Sequence, residues 1–235
     1  NSLTLETKGE PPLLVKRVAF SLDSWAKFVP EHLKTTVEKL IIPADVFKDM
    51  EAPTLKDLGY KSIEFNGDVA FGIDKAAKTA ALTPFKFDFA QAGSFSSEVH
   101  LSNITEDMLG IAALDDPFTQ LGAAKFEKLR LQMVNGDFID KYVTWKAKKE
   151  NKSAADVKEE IETMLKAVTL TIPDNDQQKK AQDAIDAFMT DPQSLTLIIT
   201  PKAKLSLLDL QLGVMTGGLG LLDKVNFEVV ANSAI

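Results

Sequence analysis

Apolar and polar positions alternate along much of this chain, and the period of the alternation predicts its elements. Leu13 to Phe20 read as a strand after the Pro11-Pro12 break. From Ser21 to Leu40, Trp25, Phe28, Val29, His32, Leu33, Val37 and Leu40 fall at i, i+3, i+4, i+7 spacing, which predicts an amphipathic helix. Pro30 either kinks this helix or stands in the first turn of its main part. Pro43 and Pro53 bracket a looser connection.

At Ser62 the period changes to two. Ile63, Phe65, Val69, Phe71 and Ile73 share odd positions, with Asn66-Gly67 among them. Asn-Gly favours a two-residue hairpin. Such a turn, however, would set Asp68 on the face of Phe65 and turn Val69 away. One long strand bent at Gly67 keeps every apolar side chain on one side. Phe85, Phe87 and Phe89 alternate in a second strand, and Phe95, Val99 and Leu101 in a third. Together they read as an antiparallel meander with one apolar face.

The second half carries helical signals. Thr105 to Gly122 read as short helices or a loop broken at Pro117, and Phe126, Leu129, Leu131 and Met133 as a strand. Phe138, Tyr142 and Trp145 share a helix face. Ser153 with Asp156 resembles a capping box ahead of Val157, Ile161, Met164, Leu165 and Val168. Asp174 or Asn175 caps a third helix with Ala181, Ala184, Ile185 and Phe188 inward, stopped by Pro192. Leu195, Leu197 and Ile199 make a strand, Leu205 to Leu222 short helices, and Val225, Phe227 and Val229 a last strand.

The expected fold class is therefore α+β, a curved antiparallel sheet with amphipathic helices packed on one face. Residues 1–235 form one domain in this reading. Ser2-Leu3-Thr4-Leu5 recurs as Ser194-Leu195-Thr196-Leu197, which raises the alternative of two similar lobes, about 1–122 and 123–235.

Gly136-Asp137-Phe138-Ile139, Asn151-Lys152-Ser153 and the run from Asp191-Pro192 to Leu197 carry a resemblance to uncharacterised proteobacterial cell-envelope proteins. The resemblance covers less than half of the chain. It implies an exported, periplasmic protein and no activity.

Composition narrows the chemistry. The chain has 235 residues and a net charge of −7, so it lacks the basic bias that draws nucleic acid. A basic cluster of Lys141, Lys146, Lys148, Lys149 and Lys152 reads as the solvated face of a helix and its exit loop or, alternatively, as a small anion-binding or membrane-surface patch. No apolar run approaches the roughly 20 residues of a membrane span. There are no cysteines, which removes disulfides and thiolate chemistry. His32 and His100, the two histidines, show no metal spacing: His32 is expected on the packed stripe and His100 facing solvent. No nucleophile elbow, Walker pattern or dinucleotide fingerprint occurs. Neither a cofactor nor a metal is expected, and the chain is read as not an enzyme.

Fourteen Phe stand against two Tyr and two Trp. Phe supplies large apolar area without a polar handle, and a Phe-rich sheet under helices is one way to enclose an apolar ligand. The candidate ligand-binding residues are Trp25, Phe28, Phe85, Phe87, Phe89 and Leu219. Gly217-Gly218-Leu219-Gly220 is the candidate gate. The expected function is a non-catalytic envelope protein holding a lipid or other apolar molecule between sheet and helices. The alternative is a structural or adaptor protein acting through protein contacts.

Overall fold

A computed structural model of the chain describes residues 3–5, 13–26, 29–44, 53–109, 121–216 and 219–233. Its centre is an open antiparallel sheet of β1 (Leu3–Leu5), β2 (Leu13–Ala26), β3 (Val29–Pro43), β4 (Ser62–Asp74), β5 (Thr79–Phe89), β6 (Gly93–Ser102), β7 (Lys125–Asn135), β8 (Ser194–Pro201), β9 (Leu205–Ser206) and β10 (Val225–Ala231). Spatial order follows chain order from β1 to β8 and then β10, with the short β9 pairing β7. The chain is thus an α+β protein with a curved antiparallel sheet and helices on one of its faces.

The long β4 runs unbroken through Asn66-Gly67. A Cβ on Gly67 would lie 3.1 Å from the Phe65 ring and 3.4 Å from that of Phe87, so glycine leaves the space these two rings occupy. Rings from β4 and β5 then pack together, Phe85–Phe87 in a T-shape at 4.7 Å and Phe65–Phe87 and Phe65–Phe89 tilted at 5.5 Å and 5.2 Å between centroids.

The helix expected over Ser21 to Leu40 is absent. Those residues form the end of β2 and most of β3, paired from Leu14↔Ile41 to Ala26↔Val29. A bulge explains the misleading spacing. Between Val37 and Leu40 the register of β3 against β4 shifts, and Lys39 has a positive φ of 52°. The extra residue turns a step of two into a step of three while keeping Val37 and Leu40 on one face. Leu33, Val37 and Leu40 then mimic a helical stripe. The bulge is held by the Asn66 side chain, whose Oδ1 accepts from the Lys39 N–H at 2.9 Å. His32 consequently leaves the packed stripe and is exposed.

Helices α1 (Phe138–Glu150), α2 (Ala154–Thr169) and α3 (Asn175–Thr190) follow β7. The Ser153–Asp156 capping box forms, and Asp174 caps α3 by accepting from the Gln177 N–H. Two short helices, α4 (Leu207–Met215) and α5 (Leu219–Leu222), lie between β9 and β10. Phe188, Ile185 and Met189 of α3 make a core with Ile139 of α1, Ile161 and Leu165 of α2, and Leu195 and Ala231 of the sheet. Leu210 and Leu221 of α4 and α5 cover Phe126, Leu129, Ile199, Val225 and Phe227. A 3-10 turn at Glu106–Leu109 covers Ile73 and Ala80, and Tyr142 and Trp145 of α1 pack with Tyr60, Ile63 and Phe89. All four clusters use the same side of the sheet.

Candidate functional site

Residues directly opposite one another in a ladder point to the same face. Followed across the sheet, the register therefore sorts side chains into rows. One row runs Leu22, Leu33, Phe71, Leu82, Val99, Leu129, Ile199, Phe227. The next runs Phe20, Thr35, Val69, Phe85, Ser97, Leu131, Leu197, Val229, and the third Val18, Val37, Gly67, Phe87, Phe95, Met133, Leu195, Ala231. Eight strands thus contribute to one almost wholly apolar face.

The intervening rows carry the polar side chains. Asp23, His32, Gly72, Ala81, His100 and Lys128 align on the other face. There Arg17 pairs with Glu38 at 3.1 Å, the Thr36 hydroxyl donates to Asp68 at 2.8 Å, and Arg130 lies 3.8 Å from Glu98. Both histidines belong to this polar side. Among the described residues, no group of three or more His, Asp or Glu side chains gathers as around a metal ion.

The apolar face is covered towards β10 and at the ends of its middle strands, and is open elsewhere. Beneath α3, α4 and α5 it is a core. Towards β2 it meets solvent: Phe20 is 63% exposed, Val18 57% and Leu22 43%. Phe95 and Met133, in the middle of the sheet, are 36% and 38% exposed. Phe85, Phe87 and Phe65 are half-buried by one another. Contiguous apolar surface of this kind is uncommon on an isolated domain.

The structure brings Phe85, Phe87 and Phe89 together on this face, with Phe89 also packed against the cluster that includes Trp145. Trp25 is exposed on β2, next to one edge of the sheet, whereas Leu219 opens α5, against β10 at the other edge. Phe28, Gly217 and Gly218 lie outside the described residues. Missing from the sequence-based candidates are Val18, Phe20, Leu22, Phe95, Leu131 and Met133. The signal for Leu22 is the two-residue alternation of β2 beyond Phe20, which the helix-like spacing of the following residues conceals; the other five stand on strands read from the sequence, and only the fold leaves them on one face.

The lysine cluster separates into two parts. Lys146 and Lys152 both reach Glu160 of α2, at 2.8 Å for Lys146 and in close contact for Lys152, and both pair with Glu150. Hydrogen bonds from these two ammoniums hold the Glu160 carboxyl down at about 2, against an ordinary 4.5. The folded chain then binds fewer protons here than the unfolded one. The contribution to stability is present above pH 4.5 and is lost as pH falls from there towards 2. A carbon-detected NMR titration is expected to place the Glu160 midpoint near 2, and Lys146→Gln with Lys152→Gln to raise it. A midpoint at an ordinary carboxylate value in the unaltered protein contradicts the clasp.

The profile of a family described as "Uncharacterized protein" matches residues 86–232, from β5 to the end of β10. No curated protein and no solved structure matches the chain.

Proposed function

From the premise that this chain belongs to that family of uncharacterised proteins, we propose that it is a non-catalytic protein of the cell envelope that binds a lipid or another apolar molecule. The observation that carries the reading is the open strip of the apolar face beside its helix-covered part. An acyl chain laid on Val69, Phe85, Phe87, Phe95 and Met133 removes its own surface and theirs from water, at about 25 cal/mol per Å² of apolar area. The contact lies on the uncovered part of the sheet, beside the helices rather than beneath them. The envelope placement is supported by the likeness of the 136–139, 151–153 and 191–197 segments to exported proteins. No helix among the described residues is long and apolar enough to cross a membrane.

The test is displacement of a fluorescent apolar probe by fatty acids and phospholipids, together with thermal unfolding. A ligand at a hundred times its Kd adds about 2.7 kcal/mol to the folded state and raises Tm. Phe95→Glu and Met133→Glu, which set a charge on the strip at already exposed positions, are expected to weaken binding at least tenfold, about 1.4 kcal/mol. Glu98→Gln, on the polar face, is expected to leave it unchanged. If no compound displaces the probe or shifts Tm, the reading fails, and the exposed strip passes to the protein-contact alternative.

A further inference from the structure

A cleft of about 720 Å³ lies along α1, bordered by residues 57–59 and by Asp137, Asp140, Lys141, Thr144, Trp145, Lys148 and Lys149. Leu58 and Trp145 form its apolar wall, the outer side of the cluster that buries Tyr60 and Ile63. Its three carboxylates are already committed. The Asp57 Oδ2 accepts from the Thr54 N–H at 2.9 Å and from the Thr54 hydroxyl at 2.8 Å. Asp137 accepts from the buried Tyr60 hydroxyl at 2.5 Å and pairs with Lys141 at 3.5 Å. Asp140 lies 3.8 Å from Lys158.

Two of the lysines are not so engaged. Among the described residues, no carboxylate lies within 4.0 Å of the Lys148 or Lys149 ammonium; Lys149 instead stands 4.6 Å over the Trp145 ring. The lining therefore has two carboxylates paired with lysines, a third at Asp57 that keeps its charge under hydrogen bonds from Thr54 and attracts Lys149 from beyond ion-pair distance, two ammoniums with no described carboxylate within 4.0 Å, and an indole. A carboxylate ligand answers one such ammonium. A phosphate monoester carries about −1.5 to −2 at neutral pH and answers both. Lysine binds phosphate as a point charge, without the planar geometry a guanidinium requires. The indole gives a flat apolar surface to the carbons next to the ester oxygen.

We propose that this cleft binds a phosphate monoester attached to an apolar stem, with Lys148 and Lys149 neutralising the phosphate and Trp145 covering the stem. The proposal stands on the cleft alone and does not rest on the open strip of the sheet. The ester has two sources, the head of a lipid such as phosphatidic acid or a water-soluble phosphate ester, and both present the same group.

The test uses the full chain carrying Trp25→Phe, so that indole emission reports Trp145 alone. Three compounds are titrated: dihexanoyl phosphatidic acid, glycerol 3-phosphate, and dihexanoylglycerol, which lacks the phosphate. A saturable change in emission is expected with phosphatidic acid. It should weaken at least tenfold in Lys148→Gln/Lys149→Gln and fall as salt is raised, while Lys180→Gln on α3 leaves it unchanged. These lysines are exposed, and an unaltered Tm is expected to show that the double variant is folded. Saturation by phosphatidic acid alone assigns the site to a lipid head; equal saturation by glycerol 3-phosphate assigns it to a soluble ester. The proposal is overturned if neither phosphate compound binds, if dihexanoylglycerol binds equally well, or if the double variant binds like the parent.

Discussion

Phe188→Ala is expected to lower the stability of the protein by about 3–5 kcal/mol, the range for deleting a buried aromatic ring. Phe188 is 1% exposed, and its ring sits where α1, α2, β8 and β10 meet α3. The cost has two parts, the lost transfer of the ring from water and the cavity left among helices that cannot all close inward. Urea unfolding followed by circular dichroism measures it as a fall in midpoint with little change in slope. Val168→Ala, on α2 but 68% exposed, should stay within about 0.5 kcal/mol of the parent. Equal midpoints for Phe188→Ala and the parent are incompatible with helices docked on the sheet through this residue.

Gly136→Ala is expected to cost on the order of 3 kcal/mol, at the upper end for overpacking. Gly136 joins β7 to α1. A Cβ placed on it comes within 2.8 Å of the Gln91 carbonyl carbon and 2.9 Å of that of Ala92, and closer still to the Gln91 carbonyl oxygen. These are backbone atoms of the β5–β6 turn, and no rotamer change relieves the clash. Moving them apart strains the Gly136 N–H bond to the Ala92 carbonyl at 3.0 Å and the Asp137 N–H bond to that of Gln91 at 2.7 Å. The displacement passes to Asp137 and its bond with Tyr60, where burial and the Asp137 carboxylate raise the phenol well above its ordinary value. Gly220→Ala is the control. Nothing lies within 4 Å of a Cβ there, so its expected effect runs from none to about 1 kcal/mol of stabilisation. A parent-like midpoint for Gly136→Ala would show that the turn and the helix start are not in contact.

The elements that proved legible are those whose signal is local. The capping box at Ser153 needs residues three apart, and the continuity of β4 through Gly67 follows from alternation within the strand itself. The Phe residues of β5 were readable as one face for the same reason. The β2–β3 hairpin was not. Its bulge at Lys39 is stabilised by β4, through Asn66 at a separation of 27 residues, and a single chain segment contains no trace of that partner. With the bulge unseen, a step of three between apolar residues reads as a turn of helix.

The candidate site divides along the same line. Apolar alternation determined that each strand has a greasy side, because side-chain direction in a strand is set by the backbone of that strand. The sequence also determined the absence of thiol chemistry and of any paired histidine spacing. Tertiary structure alone decided that eight of these sides align into one face, that α3 to α5 cover it only towards β10, and that Phe20, Phe95 and Met133 remain in contact with water. It likewise decided that Lys146 and Lys152 are clasped by Glu160 while Lys148 and Lys149 border a cleft. The reason is physical: burial and pairing are properties of what lies opposite a side chain, and in this chain the opposite residue lies on another element.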